Sequence, residues 1–159
     1  MEKKVRKAAK CYVINENKVL VTKYKEGNLK TGYYDIPGGK IEDSEEPKEA
    51  AIREVREETG VYIKNLKYSG NLIVEYPNRI FDFDIFVTNE FEGQPIDFEA
   101  NEAFIIDIEE LLKKEKVLSN IILLDRFFIN GLLDEETDFK MYIKVEENEN
   151  ILEVKYLYK

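Results

Sequence analysis

Three glutamates, Glu54, Glu57 and Glu58, stand at i, i+3 and i+4 within Pro47 to Thr59, a run rich in strong helix formers. On a helix this spacing puts three carboxylates on one face within a single turn. Like charges so close repel unless cations lie among them. Carboxylate oxygens suit Mg2+ or Mn2+, hard ions that commonly join protein carboxylates to substrate phosphates. The spacing therefore points to an acidic ligand set and a phosphate-bearing substrate. The competing reading is a solvated, salt-bridged helix, since Glu49 with Arg53 and Arg53 with Glu57 are also i, i+4 pairs. That reading leaves Pro37-Gly38-Gly39 upstream, and Glu45 and Gly60 at their spacing, without an explanation.

Pro47 suits a first helical turn and Gly60 a C-terminal stop, with Ser44 the expected N-cap and Asp43 its competitor. Ala50, Ala51 and Val55, with Ile52, supply the inward side. Written out, Gly39 to Val61 follows G-x5-E-x7-R-E-U-x-E-E-x-G-U, where U is aliphatic. The matching residues are Gly39, Glu45, Arg53, Glu54, Val55, Glu57, Glu58, Gly60 and Val61. This pattern resembles the signature of the Nudix hydrolases without a mismatch. The likeness extends from Ala8 to about Asn130 and is nearest to the MutT-type branch, through Tyr34-Asp35-Ile36-Pro37-Gly38-Gly39-Lys40 before the box. Beyond the box it rests on Glu75-Tyr-Pro-Asn-Arg79 and Glu90-Phe-Glu-Gly-Gln-Pro95.

The resemblance implies an α/β/α sandwich, a mixed sheet between helices, in a single domain spanning residues 1–159. It implies metal-dependent hydrolysis of a nucleoside diphosphate-linked substrate, foremost a nucleoside triphosphate, including oxidised ones, to the monophosphate and pyrophosphate. ADP-ribose, a dinucleoside polyphosphate or capped RNA are the alternative substrates, and a non-catalytic nucleotide-binding module is a third class. Mg2+, or Mn2+, is the implied cofactor. Carried onto this chain, the family's machinery makes the Gly38 carbonyl, Glu57 and Glu58 metal ligands. Glu54 becomes a ligand that also orients or deprotonates the attacking water, and Arg53 positions Glu54. Gly39, Glu45 and Gly60 become structural parts of the motif. A further carboxylate after Pro95 completes the metal site, for which Glu102 is favoured over Glu99. Lys23, Lys40 and Arg79 are candidate phosphate-binding cations. Asn120 stands where MutT-type enzymes place a base-reading asparagine, and its amide can pair with a purine edge as donor and acceptor; capping the following helix is its other reading. The related animal oxidised-purine triphosphatases carry paired aspartates in this region, where this chain has Leu118-Ser119-Asn120.

Composition narrows the choice by exclusion. With no histidine, a Ser-His-Asp triad, a Cys-His pair and His-ligated zinc are ruled out, so proton transfer falls to carboxylate, lysine, tyrosine or water. Cys11, the single cysteine, excludes an internal disulfide and a Cys-rich zinc site; its apolar neighbours make it a strand residue, and a reducing cytoplasm is the expected compartment. A net charge of -9 opposes binding to a long polyanion, so a small nucleotide is the expected partner, with no stable nucleic-acid complex. No stretch reads as a membrane span, and the oligomer is expected to be a monomer or homodimer.

The elements that must position these residues follow from periodicity. Strands are expected at Arg6–Asn15, Val19–Tyr24, Leu72–Tyr76, Ile80–Thr88 and Phe104–Asp107, with turns at Asn15-Glu16-Asn17 and Pro77-Asn78. A short helix is expected over Ile108–Lys116 and a long one over Leu118–Asn130, with Ile121, Ile122, Leu124, Phe128 and Ile129 inward. Met141–Val145 and Ile151–Tyr158 should form a closing hairpin.

Overall fold

The computed structural model describes residues 2–27, 29–128 and 138–158. In chain order its strands are β1 (Lys4–Asn15), β2 (Lys18–Tyr24), β3 (Tyr34–Asp35), β4 (Gly38–Lys40), β5 (Tyr62–Lys64), β6 (Lys67–Glu75), β7 (Arg79–Thr88), β8 (Glu90–Glu92), β9 (Asn101–Asp107), β10 (Phe139–Val145) and β11 (Ile151–Tyr158). Helix α1 (Pro47–Thr59) follows β4 and α2 (Ile108–Leu112) follows β9.

Along β1, Ala8, Tyr12 and Ile14 enter one apolar layer, while Ala9, Cys11 and Val13 enter the other. This is the period-2 pattern of a strand covered on both faces. One edge of β1 pairs in parallel with β7, from Lys4 opposite Arg79 to Val13 opposite Thr88. The opposite edge is shared by two partners: β4 lies antiparallel to Ala8–Lys10, and β2 takes over at Ile14 and Asn15. The sheet continues outward from β7 through β6 and β10 to β11, and from β2 to β9 and β3. Parallel pairs (β1 with β7, β6 with β10) among antiparallel ones make the sheet mixed. The split edge of β1 matters most for function, because it sets Gly38 and Gly39 beside the middle of the sheet.

α1 covers one face. Ala50, Ala51 and Val55 are fully buried against Ala9, Cys11 and Val13, with Ile52 packed at the margin. Each buried aliphatic side chain of valine size contributes about 1.5–3 kcal/mol, so this seam fixes how the opposite, polar face of the helix is presented. The other sheet face is covered by α2 and the segment after it, through Ile108, Leu111, Ile121, Leu123 and Leu124. Helical segments therefore flank both faces of the mixed sheet, as expected.

Three local expectations are corrected. The N-cap of α1 is Glu46, not Ser44 or Asp43. Pro47 occupies the first helical position and holds the preceding residue extended, with φ -77 and ψ 150 at Glu46, while the Glu46 N–H donates to Glu49 Oε1 at 2.8 Å. Ser44 sits in a turn at φ 69. The helix begun at Ile108 ends at Leu112, because the chain is then drawn into the sheet: the Tyr34 N–H donates to the Lys116 carbonyl and the Leu118 N–H to the Tyr34 carbonyl, each at 2.9 Å. The segment from Leu118 does not form one long α-helix over its described part. It makes a 3-10 turn at Ser119–Ile121 and a π-helical turn at Leu124–Phe128. The Asn120 carbonyl accepts from the Tyr12 hydroxyl at 2.6 Å and the Ser119 N–H donates to Glu149 at 2.9 Å, so tertiary partners hold its first turn. Ile121 and Leu124 are buried and Ile122 is partly buried; Ile129 and Asn130 lie outside the described residues, as does the side chain of Phe128. The closing hairpin, β10 with β11, forms as expected.

Candidate functional site

Arg53 organises the polar face of α1. Its Nε and Nη2 donate to the two carboxylate oxygens of Glu45 at 2.8 and 3.1 Å, Nη1 to Glu54 at 2.8 Å and Glu57 at 3.2 Å, and Nη2 to the Lys40 carbonyl at 2.9 Å. Bidentate pairing matches the planar fork of a guanidinium, which a lysine cannot reproduce. Glu45 is in turn oriented by the Glu42 N–H at 2.9 Å, and the Arg53 guanidinium, together with that N–H, holds its carboxyl below the usual range. Glu45 thus anchors the loop before α1 to the helix.

Gly39 meets Glu54 at close range. A Cβ at position 39 would lie 2.5 Å from the Glu54 carboxyl carbon, so the loop approaches this carboxylate only because residue 39 has no side chain. One turn on, the Gly38 N–H donates to Glu58 Oε1 at 2.8 Å. Glu58 is partly buried, and its pKa is pushed up to about 8, chiefly by desolvation, against the opposing pull of Lys10 and of the Gly38 N–H. Glu57 is more exposed, its side chain 59% accessible. At the far end, Gly60 takes the left-handed C-cap conformation, φ 80, and its N–H donates to the Arg56 carbonyl at 2.9 Å.

The Glu54, Glu57 and Glu58 carboxylates and the Gly38 carbonyl offer oxygen ligands, the chemistry that suits a hard divalent ion, and at Glu58 the neighbouring Asp35 and Glu54 charges add to the cost of burying the ionised form. Among the described residues no three His, Cys, Asp or Glu side chains converge on one point. The carboxylates lie along a helix face and share Arg53 and the Gly38 N–H as partners. Of the two residues considered for completing the set, Glu102 lies in β9 opposite Lys23, and Glu99 is exposed in the loop before it. No hydrogen bond or ion pair among the described residues joins either to the carboxylates of α1. Asn101, which sequence reading passed over, makes the link instead: its Nδ2 donates to the Glu58 carbonyl at 2.9 Å, tying the start of β9 to the end of α1.

Beside Gly38 and Gly39 opens a cavity of about 730 Å3. Its apolar wall is built from Val74, Tyr76, Phe81 and Phe83, with the Phe81 and Phe83 rings stacked 5.5 Å apart. Its lining carries seven cationic side chains, Lys4, Arg6, Lys7, Lys10, Lys30, Lys40 and Arg79, against three carboxylates, Asp35, Asp43 and Glu149. In a chain of net charge -9 this is a local reversal of sign, and it favours an anion. The aromatic wall favours a flat ring.

The expected phosphate-binding cations separate here. Lys40 lines the cavity and is exposed. Arg79 lines it too, but stacks on Tyr76 at 4.1 Å and pairs with Glu147 at 2.6 Å. Lys23 is outside the lining, its ammonium over the Tyr34 ring at 5.3 Å. Asn120 does line the cavity and is buried; it does not cap a helix, since Leu118 is the N-cap of the 3-10 turn. Its Nδ2 donates to Asp35 Oδ1 at 3.0 Å. Asp35 and Lys10, neither chosen from the sequence as a site residue, form a buried ion pair at 3.1 Å on the cavity lining. A lysine within a strand gives no signal of this kind in the sequence.

Comparison with known proteins is consistent along most of the chain. The NUDIX domain model matches residues 4–127. An 8-oxo-dGTP diphosphatase of Haemophilus influenzae is 32% identical over 108 residues, 67% of this chain and 79% of that protein. A putative 8-oxo-dGTP diphosphatase of Bacillus subtilis is 36% identical over 92 residues, 56% of this chain and 58% of that protein. Among solved structures, a MutT protein of Bacillus halodurans superposes with a TM-score of 0.75 at 20% identity, covering 96% of this chain and 97% of its own.

Proposed function

The chain belongs to the NUDIX family, and on that premise we propose that it is a metal-dependent hydrolase of nucleoside triphosphates, oxidised purine nucleotides included, releasing the monophosphate and pyrophosphate. The observation that carries this reading is the adjacency of two unlike surfaces: the carboxylate face of α1 at Gly38 and Gly39, and the cation-lined, aromatic-walled cavity that those same glycines border. The names borne by the relatives from H. influenzae and B. subtilis support the substrate class.

In this reading the triphosphate lies along the Gly38–Lys40 edge, where Lys40 and the basic first half of β1 offset its charge. The base reaches inward to Phe81, Phe83 and Asn120. Glu54, held at 2.8 Å by Arg53 and braced against Gly39, orients the attacking water and takes its proton. Glu57 and Glu58 with Glu54 and the Gly38 carbonyl would hold a divalent ion, Mg2+ or Mn2+, with Glu102 or Glu99 as a further ligand, and its charge would offset that of the phosphates there. Arg53 fixes the direction of Glu54 through Glu45 and the Lys40 carbonyl. Among the described residues no helix is long and apolar enough to cross a membrane, and a cytoplasmic location fits the free, buried Cys11.

The test is product analysis by phosphorus NMR over a panel of nucleoside triphosphates, ADP-ribose and dinucleoside polyphosphates with Mg2+. Pyrophosphate and monophosphate from a triphosphate are expected. Turnover confined to ADP-ribose or a dinucleoside polyphosphate would replace the substrate assignment.

A further inference from the structure

β11 closes the sheet at the end away from β2 and β3. It pairs with β10 on one side and, among the described residues, with no strand on the other. An edge strand leaves a row of backbone N–H and C=O groups as a template for a further strand, and proteins commonly guard such an edge with proline, short length or unmatched charge. This edge runs for eight residues without a proline. Leu152, Tyr156 and Leu157 on it are large apolar side chains, each about half exposed. Its two charges are Glu153 and Lys155, which stand opposite Lys144 and Tyr142 of β10 on one face of the sheet and pair with each other at 3.2 Å.

The order of these residues points to the partner. An antiparallel copy of the strand laid on this edge with Val154 opposite the partner's Val154 sets Glu153 opposite the partner's Lys155, and Lys155 opposite the partner's Glu153. The same register sets Leu152 opposite the partner's Tyr156 and Ile151 opposite the partner's Leu157. Opposite charges and apolar–aromatic pairs directly across two antiparallel strands stabilise them, and like charges there destabilise. Moving the two-fold by one residue either way opposes Glu153 to the partner's Glu153 or Lys155 to the partner's Lys155, so the charges select a single register. We infer that β11 is a self-docking edge, at which two copies of this chain join antiparallel about a two-fold axis at Val154 and continue the sheet from one subunit into the other. Such an isologous contact uses up the free edge of both copies and stops at the dimer. The pairing of β11 with β10 skips Leu152 and Leu157, so the regular run is Glu153–Tyr156. The contact is therefore short, and its association depends on concentration. No residue of β11 lines the cavity beside Gly38, so the join leaves the site residues untouched.

The experiment is sedimentation velocity of the full chain from about 5 to 500 µM, a range that brackets micromolar association. The wild type should show a monomer–dimer equilibrium with no larger species. Lys155→Glu and Glu153→Lys each set like charges opposite one another twice, and each alone should weaken dimerisation by about tenfold or more. An equimolar mixture of the two variants restores both pairs and should associate at least as well as the wild type. Circular dichroism checks that both variants fold. Val154→Cys should form an interchain disulfide on oxidation, because directly opposed Cα atoms of antiparallel strands lie about 4.5–5.5 Å apart, within disulfide reach. Leu152→Cys, opposite the partner's Tyr156, should not, and the native Cys11 is too buried to compete. A wild-type chain that stays monomeric throughout would overturn the inference and leave the edge to some other occupant. So would a dimer that both charge variants leave intact, a mixture of folded variants that associates no better than either alone, or a dimer in which Val154→Cys does not cross-link.

Discussion

Two polar clusters organise this molecule, and each is centred on a single ion. On the face of α1, Arg53 gathers Glu45, Glu54, Glu57 and the Lys40 carbonyl, all within eighteen residues of sequence from 40 to 57. On the cavity lining, Asp35 gathers Lys10, Tyr24 and Asn120, with up to 85 residues between partners. The first is half-exposed and assembled by helical periodicity and one loop; the second is almost wholly buried and assembled by the sheet. Side-chain exposure is 29% at Arg53 against 6% at Asp35. Water and salt soften every interaction in the first cluster and few in the second. Substitutions in the exposed cluster should therefore cost little stability, and those in the buried one should cost much more.

The largest expected effect is on turnover. Glu54→Gln should lower kcat by about two to four orders of magnitude, the scale of losing a positioned base, while the melting midpoint stays close to wild type. A purified variant with near-wild-type kcat would remove Glu54 from the mechanism. Next comes the buried ion: Asp35→Ala leaves the buried Lys10 charge without its carboxylate and the Asn120 amide without its acceptor, and should cost about 3–5 kcal/mol in denaturant unfolding. A loss no greater than that of an exposed carboxylate would break the contrast between the clusters.

Glu57→Gln and Glu58→Gln should each raise the Mg2+ concentration that gives half-maximal rate if, as proposed, both belong to the ligand set; unchanged titrations in both would place the ion elsewhere. Glu58 also sharpens the comparison through pH. Desolvation raises its folded pKa to about 8 from an ordinary 4.5, so between those values the metal-free folded protein holds a proton that the unfolded chain has released. Its contribution to stability is thus fully present below pH 4.5 and is lost as pH rises through 8. Melting midpoints of metal-free wild type and Glu58→Gln, compared from pH 5 to 9, should draw apart as pH rises, and saturating Mg2+ should reduce the slope in the wild type. The smallest effect is expected at Glu45: Glu45→Ala should move the melting midpoint only slightly, since its partner Arg53 keeps Glu54, Glu57 and the Lys40 carbonyl, but should lower kcat by loosening Arg53. A large stability loss without a change in kcat would show that Glu45 serves the fold alone.

The sequence by itself determined the family, the acidic face and the helix that carries it. Glu54, Glu57 and Glu58 share a face because 3.6 residues make a turn, and Arg53 reaches Glu57 for the same reason; these relations hold in any α-helix of this sequence. Five strands and the closing hairpin were legible because alternation of apolar residues is also a local property. The N-cap of α1 moved for a local reason, Pro47, but where the later helices failed the deciding contact came from far away. The segment after Leu118 has the composition of a helix, yet Tyr12 and Glu149 capture its first polar groups and it forms a 3-10 turn instead.

The cavity was legible only in part. Lys40, Arg79 and Asn120 could be named, but not that Arg79 is tied to Glu147 or that Lys23 lies outside the lining. Lys10 and Asp35 could not be recognised as a pair, since a lysine in one strand and an aspartate 25 residues on are, in sequence, two ordinary charges. Only the register that lays β4 and β3 beside β1 and β2 removes both from water and brings them within 3.1 Å. Burial makes that contact consequential, and burial belongs to the assembled sheet, since no single segment of the chain can exclude water by itself.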